Sequence, residues 1–154
     1  MSNEAKEYLS FIIENEEYAL DILDVREVRG WADVRPLPNS PPHIMGMLEL
    51  RGEYIPIIDL RQSFGFEKTE ISSLTVVILL NFNDKTVGII VDAVADVYPI
   101  DDQHIQPPPM TGDINNYDYI RGMCQINDKH IILIEIEKLF DLQALDQATT
   151  HSKM

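Results

Sequence analysis

The side chains that could carry chemistry are few and scattered. Histidines stand at His43, His104, His130 and His151, two in proline-rich stretches, one just after a turn and one in the tail. None has the close spacing of a zinc pair, so no metal site is expected. Cys124 lies between Met123 and Gln125 on a predicted strand, with no histidine placed by sequence to activate it, and reads as a small core thiol. The stretch Asp113-Ile114-Asn115-Asn116-Tyr117 partly matches a calcium loop. It lacks the glycine of the sharp turn, and Cys124 stands where the bidentate glutamate belongs. There is no glycine-rich phosphate loop and no strand–serine–helix elbow. Asp21/Asp24 and Asp92/Asp96 could be drawn as acid–base pairs, but they recur at related positions of an internal repeat. Solubility or a place at strand ends explains them equally well, and no asymmetric, convergent set accompanies them. The expectation is a protein with no catalytic residues, no metal and no cofactor.

One polar side chain is not explained by its surroundings. Residues 50–65, LRGEYIPIIDLRQSFG, read as a strand end, a tight Arg51-Gly52 turn, a returning strand and a short helical turn. A shift of 76 residues lays 126–141, INDKHIILIEIEKLFD, over this stretch without a gap. Ile55, Ile57 and Ile58 meet Ile131, Leu133 and Ile134; Asp59 meets Glu135 and Phe64 meets Phe140. Upstream, Ile44, Gly46 and Met47 meet Ile120, Gly122 and Met123. A pattern this long is an internal duplication. In the second copy the turn is Asn127-Asp128, ordinary turn residues. In the first, glycine serves the turn and arginine does not. Arg51 is either a solvated surface cation or a guanidinium fork presented to a partner's carboxylate.

The elements that must position these residues are short strands. Residues 8–13 and 18–22 form a hairpin through an acidic turn, and 23–28 reads equally as a helical turn or as more strand. Trp31 opens a loop in which Pro36, Pro38, Pro41 and Pro42 exclude helix and central strand. The tryptophan either caps the first unit or anchors an interface. Loop residues Val34, Leu37 and Met110 suggest sticky surface. Strands follow over 44–50 and 54–60, with Pro56 suggesting an edge or a bulge. Residues 66–73 cross to the second half, with strands over 75–80, 86–91 and 92–97. A shift of 69 lays Leu20, Val25, Glu27 and Val28 on Ile89, Val94, Asp96 and Val97. The offset therefore grows from 69 to 76, and the second copy carries a loop seven residues longer, in the proline-rich residues 100–119. Residues 141–148 read as weakly helical.

Each half thus holds about five short strands, the signature of a small barrel. A barrel of roughly sixty residues is marginal alone, so the two should share apolar surface as one domain over 1–154. The expected sub-barrels span about 14–70 and 74–142, with residues 8–13 free to cross between them. The 154 residues are 45% hydrophobic, with a formal net charge of −14. Phosphate backbones and anionic lipid repel such a chain, which argues against nucleic-acid and membrane-surface partners. The single cysteine, the absence of a membrane-length apolar run and the polar start MSNEAKEY point to the cytoplasm.

The runs EEYALDILDVREVRGW, LRGEYIPIIDLR, TVVILLN, VGIIVD and IEKLF, in this order over residues 8–142, closely resemble the bacterial chemotaxis coupling proteins, the CheW family. The resemblance implies an all-β fold of two five-stranded SH3-like barrels sharing a core. It implies a non-catalytic adaptor joining the cytoplasmic tip of methyl-accepting chemoreceptors to the regulatory domain of the histidine kinase CheA. Such an adaptor is a monomer in isolation that enters rings in membrane-associated receptor arrays. Family receptor contacts fall on Glu27, Val28, Arg51, Val76 and Gly88, and kinase contacts on Trp31, Val34, Leu37, Pro109, Met110 and Thr111. Two departures stand out: Glu49 replaces the asparagine of the usual NLRG, and Met110-Thr111 stand where the long proline loop usually carries phenylalanine. The same adaptor could serve a pili or biofilm pathway, and a small-ligand-binding barrel is the reading from a different class.

Overall fold

The computed structural model describes residues 5–31, 34–38, 44–108 and 119–139. Ten strands follow one another: β1 (Lys6–Ile13), β2 (Glu16–Asp21), β3 (Val25–Gly30), β4 (Ile44–Leu50), β5 (Glu53–Asp59), β6 (Val76–Phe82), β7 (Lys85–Val91), β8 (Ala93–Ile100), β9 (Ile120–Ile126) and β10 (Lys129–Ile134). Among the described residues helix is confined to single turns, and the weak helix expected at 141–148 lies outside them. The four-residue α1 (Leu60–Ser63) follows β5, and a similar turn at 136–139 follows β10.

Four hairpins close through two-residue turns with both residues at positive φ: Glu14-Asn15, Arg51-Gly52, Asn83-Asp84 and Asn127-Asp128. This mirror-image turn matches the twist of the flanking strands, which is why Asn, Asp and Gly dominate it. The ambiguous segment after β2 is both things in turn. Ile22–Asp24 is a 3-10 turn whose first free amide, Leu23 N, donates to Asp21 Oδ1 at 2.9 Å, and strand resumes at Val25.

The strands form two five-stranded sheets, ordered β8-β1-β2-β10-β9 and β3-β6-β7-β5-β4. Each order is the image of the other under the duplication. The sheets do not follow the expected division at 14–70 and 74–142, because each half lends its first hairpin to the other half's strands. The second sheet is the continuous stretch from β3 to β7, and the first is assembled from both ends of the described chain. Parallel pairs β2·β10 and β5·β7 seal the exchange.

Three apolar clusters result. Tyr8, Ala19, Ile100, Ile131 and Leu133 fill the first barrel, and Leu48, Ile55, Ile57, Val77, Leu79 and Ile90 fill the second. A larger cluster draws Leu9, Phe11, Ile13 and Leu20 from one sheet and Ile58, Ile78, Leu80 and Ile89 from the other. Alternation explains this: in β6, Ile78 and Leu80 face the shared core while Val77 and Leu79 face the barrel interior. Removing such a side chain from water is worth about 1.5–3 kcal/mol, so the shared core ties the barrels into one body. A row of rings crosses it, Phe11 to Tyr18 to Phe64 to Tyr119, with centroid spacings of 5.9, 4.9 and 5.3 Å.

Pro56 does not mark an edge. Strand β5 lies between β4 and β7, and the irregularity in its pairing falls on the opposite strand, between Ile44 and Gly46. The proline is tolerated because Met47, across from it, spends its amide and carbonyl on Arg35 (2.7 and 2.8 Å), while the ladder to β7 starts only at Ile57. Its missing amide is thus one that neither neighbour uses. Residues 64–75 connect β5 to β6 within the second sheet. Buried Asp59 holds them, accepting from Thr69 N (2.9 Å) and Thr69 Oγ1 (2.7 Å) and capping α1 through Arg61 N (3.2 Å).

Candidate functional site

Arg51 occupies the first position of its turn with φ +51°. The left-handed conformation costs a residue with a β-carbon about 1 kcal/mol, and asparagine and glycine tolerate it best. The hairpin therefore holds an arginine against its own backbone preference. Its side chain is 65% exposed and reaches Glu27 on β3, Arg51 Nη2 to Glu27 Oε1 at 3.6 Å. Glu27 Oε2 also accepts from Arg29 Nη1 at 3.1 Å. On the same pair of elements Arg26 Nη1 lies 3.2 Å from Glu53 and 2.5 Å from Thr86 Oγ1. Two oppositely directed ion pairs thus pin the β4–β5 tip to the edge strand β3, leaving the outer part of the Arg51 guanidinium to solvent.

The five residues expected on a receptor-facing groove do not form one surface. Glu27 and Arg51 come together. Val28, the next residue on β3, faces the other way: it lies across from Ile78, as Gly30 lies across from Val76. Val28 is 45% exposed, and half-buried Val76 packs on the shared core, so these two valines line its rim. Gly88 is buried beneath. A β-carbon there would meet Ile57 Cδ1 at 2.5 Å and Leu79 Cδ2 at 3.2 Å, so the glycine serves packing of the barrel interior and offers a partner no surface.

Of the expected kinase-side residues, Trp31 and Val34 pack on the interior of the second barrel. Trp31 is half-buried, so its inner face caps the barrel while the rest stays open to solvent. Leu37 is half-buried in the proline loop, and Pro109, Met110 and Thr111 lie outside the described residues. The proline loops cross their barrels in matching fashion, through reciprocal backbone bonds of Arg35 with Met47 and of Gln106 with Met123. The aligned glycines Gly46 and Gly122 permit this, because a β-carbon at either would strike the crossing loop, at Arg35 O or Gln106 O.

Cys124 is buried and its thiol is pushed up by desolvation, as a core thiol should be. Among the described residues no three His, Cys, Asp or Glu side chains are placed to hold a metal ion, and no helix is long and apolar enough to cross a membrane. The buried carboxylate of Glu17 accepts from Ser10 Oγ (2.7 Å) and Tyr98 Oη (3.0 Å), and Ser10 Oγ in turn accepts from Asp96 N (3.0 Å). That network satisfies the irregular pairing between β1 and β8. The sequence reading did not single it out, nor Arg61, whose side chain grips Glu14 and Asp92.

Two SH3-like barrels sharing one core, with the hairpin tip of one tied to its edge strand by charge, define a paired-barrel module. The family model of the CheW-like domain matches residues 7–144. The chain belongs to the CheW family. It is 39% identical over 140 residues to the chemotaxis protein CheW of Klebsiella aerogenes, covering 91% of this chain and 84% of that one. To the CheW of Rhizobium meliloti it is 30% identical over 148 residues, 96% of each. The crystal structure of the scaffolding protein TtCheW from Thermoanaerobacter tengcongensis superposes with a TM-score of 0.80 at 37% identity, covering 88% of this chain and 92% of that one.

Proposed function

We propose that this chain is a non-catalytic adaptor that couples the signalling state of chemoreceptors to the histidine kinase CheA. The observation that carries the reading is Arg51, a cation kept at a left-handed turn position and turned outward, with only a long contact to Glu27 behind it. Bidentate recognition of a carboxylate is what such a fork suits. The receptor contact is made by Arg51 and Glu27 together with the valine rim, Val28 and Val76, while Gly88 supports the sheet below. The kinase regulatory domain is met by the proline loops, through Trp31, Val34 and Leu37 and through Pro109, Met110 and Thr111. Trp31 and Val34 are rigid there because their inner faces are packed. The adaptor works in the cytoplasm and is recruited to membrane-associated receptor arrays.

Calorimetric titration with a kinase regulatory domain, and separately with a receptor-tip fragment, tests this. Binding to both, with the second titration unchanged by saturation with the first, is the expected result. Binding to neither overturns the proposal.

A further inference from the structure

The two barrels are joined by two chain crossings. One is Ile22–Asp24, leading from β2 into β3; the other is Asp92, leading from β7 into β8. The duplication relates them, since the offset of 69 lays Leu23 on Asp92. They are built differently. Asp92 N donates to Ile12 O at 3.0 Å, and Asp92 Oδ2 accepts from Glu14 N at 3.0 Å. Arg61 closes the knot, 2.9 Å from Asp92 Oδ2 and 2.5 Å from Glu14 Oε1, with Nε donating to Glu67 O at 3.1 Å. Its side chain is 17% exposed, against 30% for Asp92 and 46% for Glu14, so the contact to Asp92 is the better shielded from water and salt.

At the other crossing the positions equivalent to Arg61 and Glu14 are Glu137 and Asn83, both exposed. Leu23 is 81% exposed. Around it Asp21, Asp24 and Glu137 line a hollow with Arg121 and Lys138, but those two cations pair with Asp102 (2.8 Å) and Glu135 (3.3 Å) instead. The Asp24 carboxyl is pushed up by burial, then by Asp21 and Glu137. One crossing is drawn together by opposite charges; at the other, among the described residues, carboxylates gather with no ion pair joining the two barrels. Between them lies the apolar shared core, which ties the barrels together and leaves only small sliding adjustments to the contacts at its two ends.

We propose that the barrels form a one-sided hinge, clamped at Asp92 by Arg61 and Glu14 and free to open at Ile22–Asp24, and that this opening relates the receptor side to the kinase side. Strand β3 is the lever. It starts at the free crossing, carries Glu27 and Val28, and ends at Gly30, one residue before Trp31. Small rotations of packed bodies about a fixed tie are an ordinary form of switching. The link between the two sides rests on the adaptor reading; the hinge itself does not.

The test places spin labels at exposed Tyr54 and Gln125, one on each barrel, in a Cys124→Ser background, and reads the distance distribution. Arg61→Ala should broaden it, and Arg61→Lys should hold it near the parent. Glu137→Arg changes an exposed position and places a cation where the duplication puts the counterpart of Arg61, so it should narrow the distribution. In a reconstituted assay with receptor-tip fragment and kinase, Glu137→Arg should leave each binding affinity within about threefold and reduce the receptor-dependent change in kinase activity at least fivefold. An unchanged distribution in both Arg61→Ala and Glu137→Arg overturns the hinge. A narrowed distribution with full kinase control overturns its role in coupling. If the parent binds neither partner, the adaptor reading falls while the distances still decide the hinge.

Discussion

Arg51→Asn separates presentation from structure, because the two contributions of the arginine to stability oppose each other. The substitution removes an ion pair to Glu27 made by a side chain that is 65% exposed. Exposed pairs contribute about 0.2–1 kcal/mol, and Glu27 keeps its partner Arg29 at 3.1 Å. The substitution also relieves a backbone at φ +51°, worth about 1 kcal/mol, and creates Asn-Gly, the preferred pair for this turn. The net change should lie within about 1 kcal/mol of zero and lean toward stabilisation, a shift of roughly 4 °C or less in the melting temperature of a chain this size. Loss of an anchoring arginine at an interface costs about 1–3 kcal/mol, or roughly 5- to 150-fold in Kd. Thermal melting followed by titration with a receptor-tip fragment reads both. A fall of more than about 5 °C would make Arg51 structural, and an unchanged Kd would remove it from the site.

Three further expectations concern the scaffold. Asp59→Ala strips the partners from Thr69 N, Thr69 Oγ1 and Arg61 N, and should cost about 2–4 kcal/mol in urea unfolding, with faster proteolysis within residues 64–75; a cost below about 0.5 kcal/mol refutes the account. Gly122→Ala places a β-carbon about 2.5 Å from Gln106 O, so the loop must shift; it should destabilise by about 1–3 kcal/mol and raise amide exchange at Gln106 and Met123, and a neutral variant would sink that reading. The Tyr18 hydroxyl is pushed up to about 12, by desolvation first and then by Tyr119 and Glu16. A tyrosine harder to ionise folded than unfolded stabilises fully below about pH 10 and loses this as pH rises through about 12, on the order of 2–3 kcal/mol. Stability curves at pH 9 and above, compared between the parent and Tyr18→Phe, should show a smaller fall in the variant; identical falls count against it.

The strands and hairpins were largely legible because two-residue turns and alternation are local signals. The exchange of hairpins was not. Alternation says that Leu20 and Ile58 need burial, not that they share a core; the parallel pairs that decide it join β2 to β10 and β5 to β7, far apart in sequence. Pro56 misled because proline usually marks an edge, whereas here a proline-loop residue, Arg35, takes the hydrogen bonds of the opposing Met47. Arg51 was singled out by what its twin lacks, and the structure adds Glu27 behind it. The same comparison lays Arg61 on Glu137, so the clamp was within reach of a reader asking where the copies differ in charge. Gly88 could not be told from a surface residue, since burial beneath Ile57 and Leu79 depends on the neighbouring strands.

The interleaved sheets also order events on the ribosome. Strands β3 to β7 are consecutive, so the second barrel can close while the rest is still being made. The β1–β2 hairpin is synthesised earlier yet must wait, because its flanking strands β8 and β10 emerge later. During that interval Tyr8, Phe11, Ile13 and Leu20, all buried in the finished protein, sit on a ribbon with two unpaired edges, the kind of surface that seeds wrong pairing between chains. The nascent chain is therefore most exposed to aggregation at its oldest strands, and slowing translation across β8 to β10 should cost yield more than the same pause placed across β3 to β7.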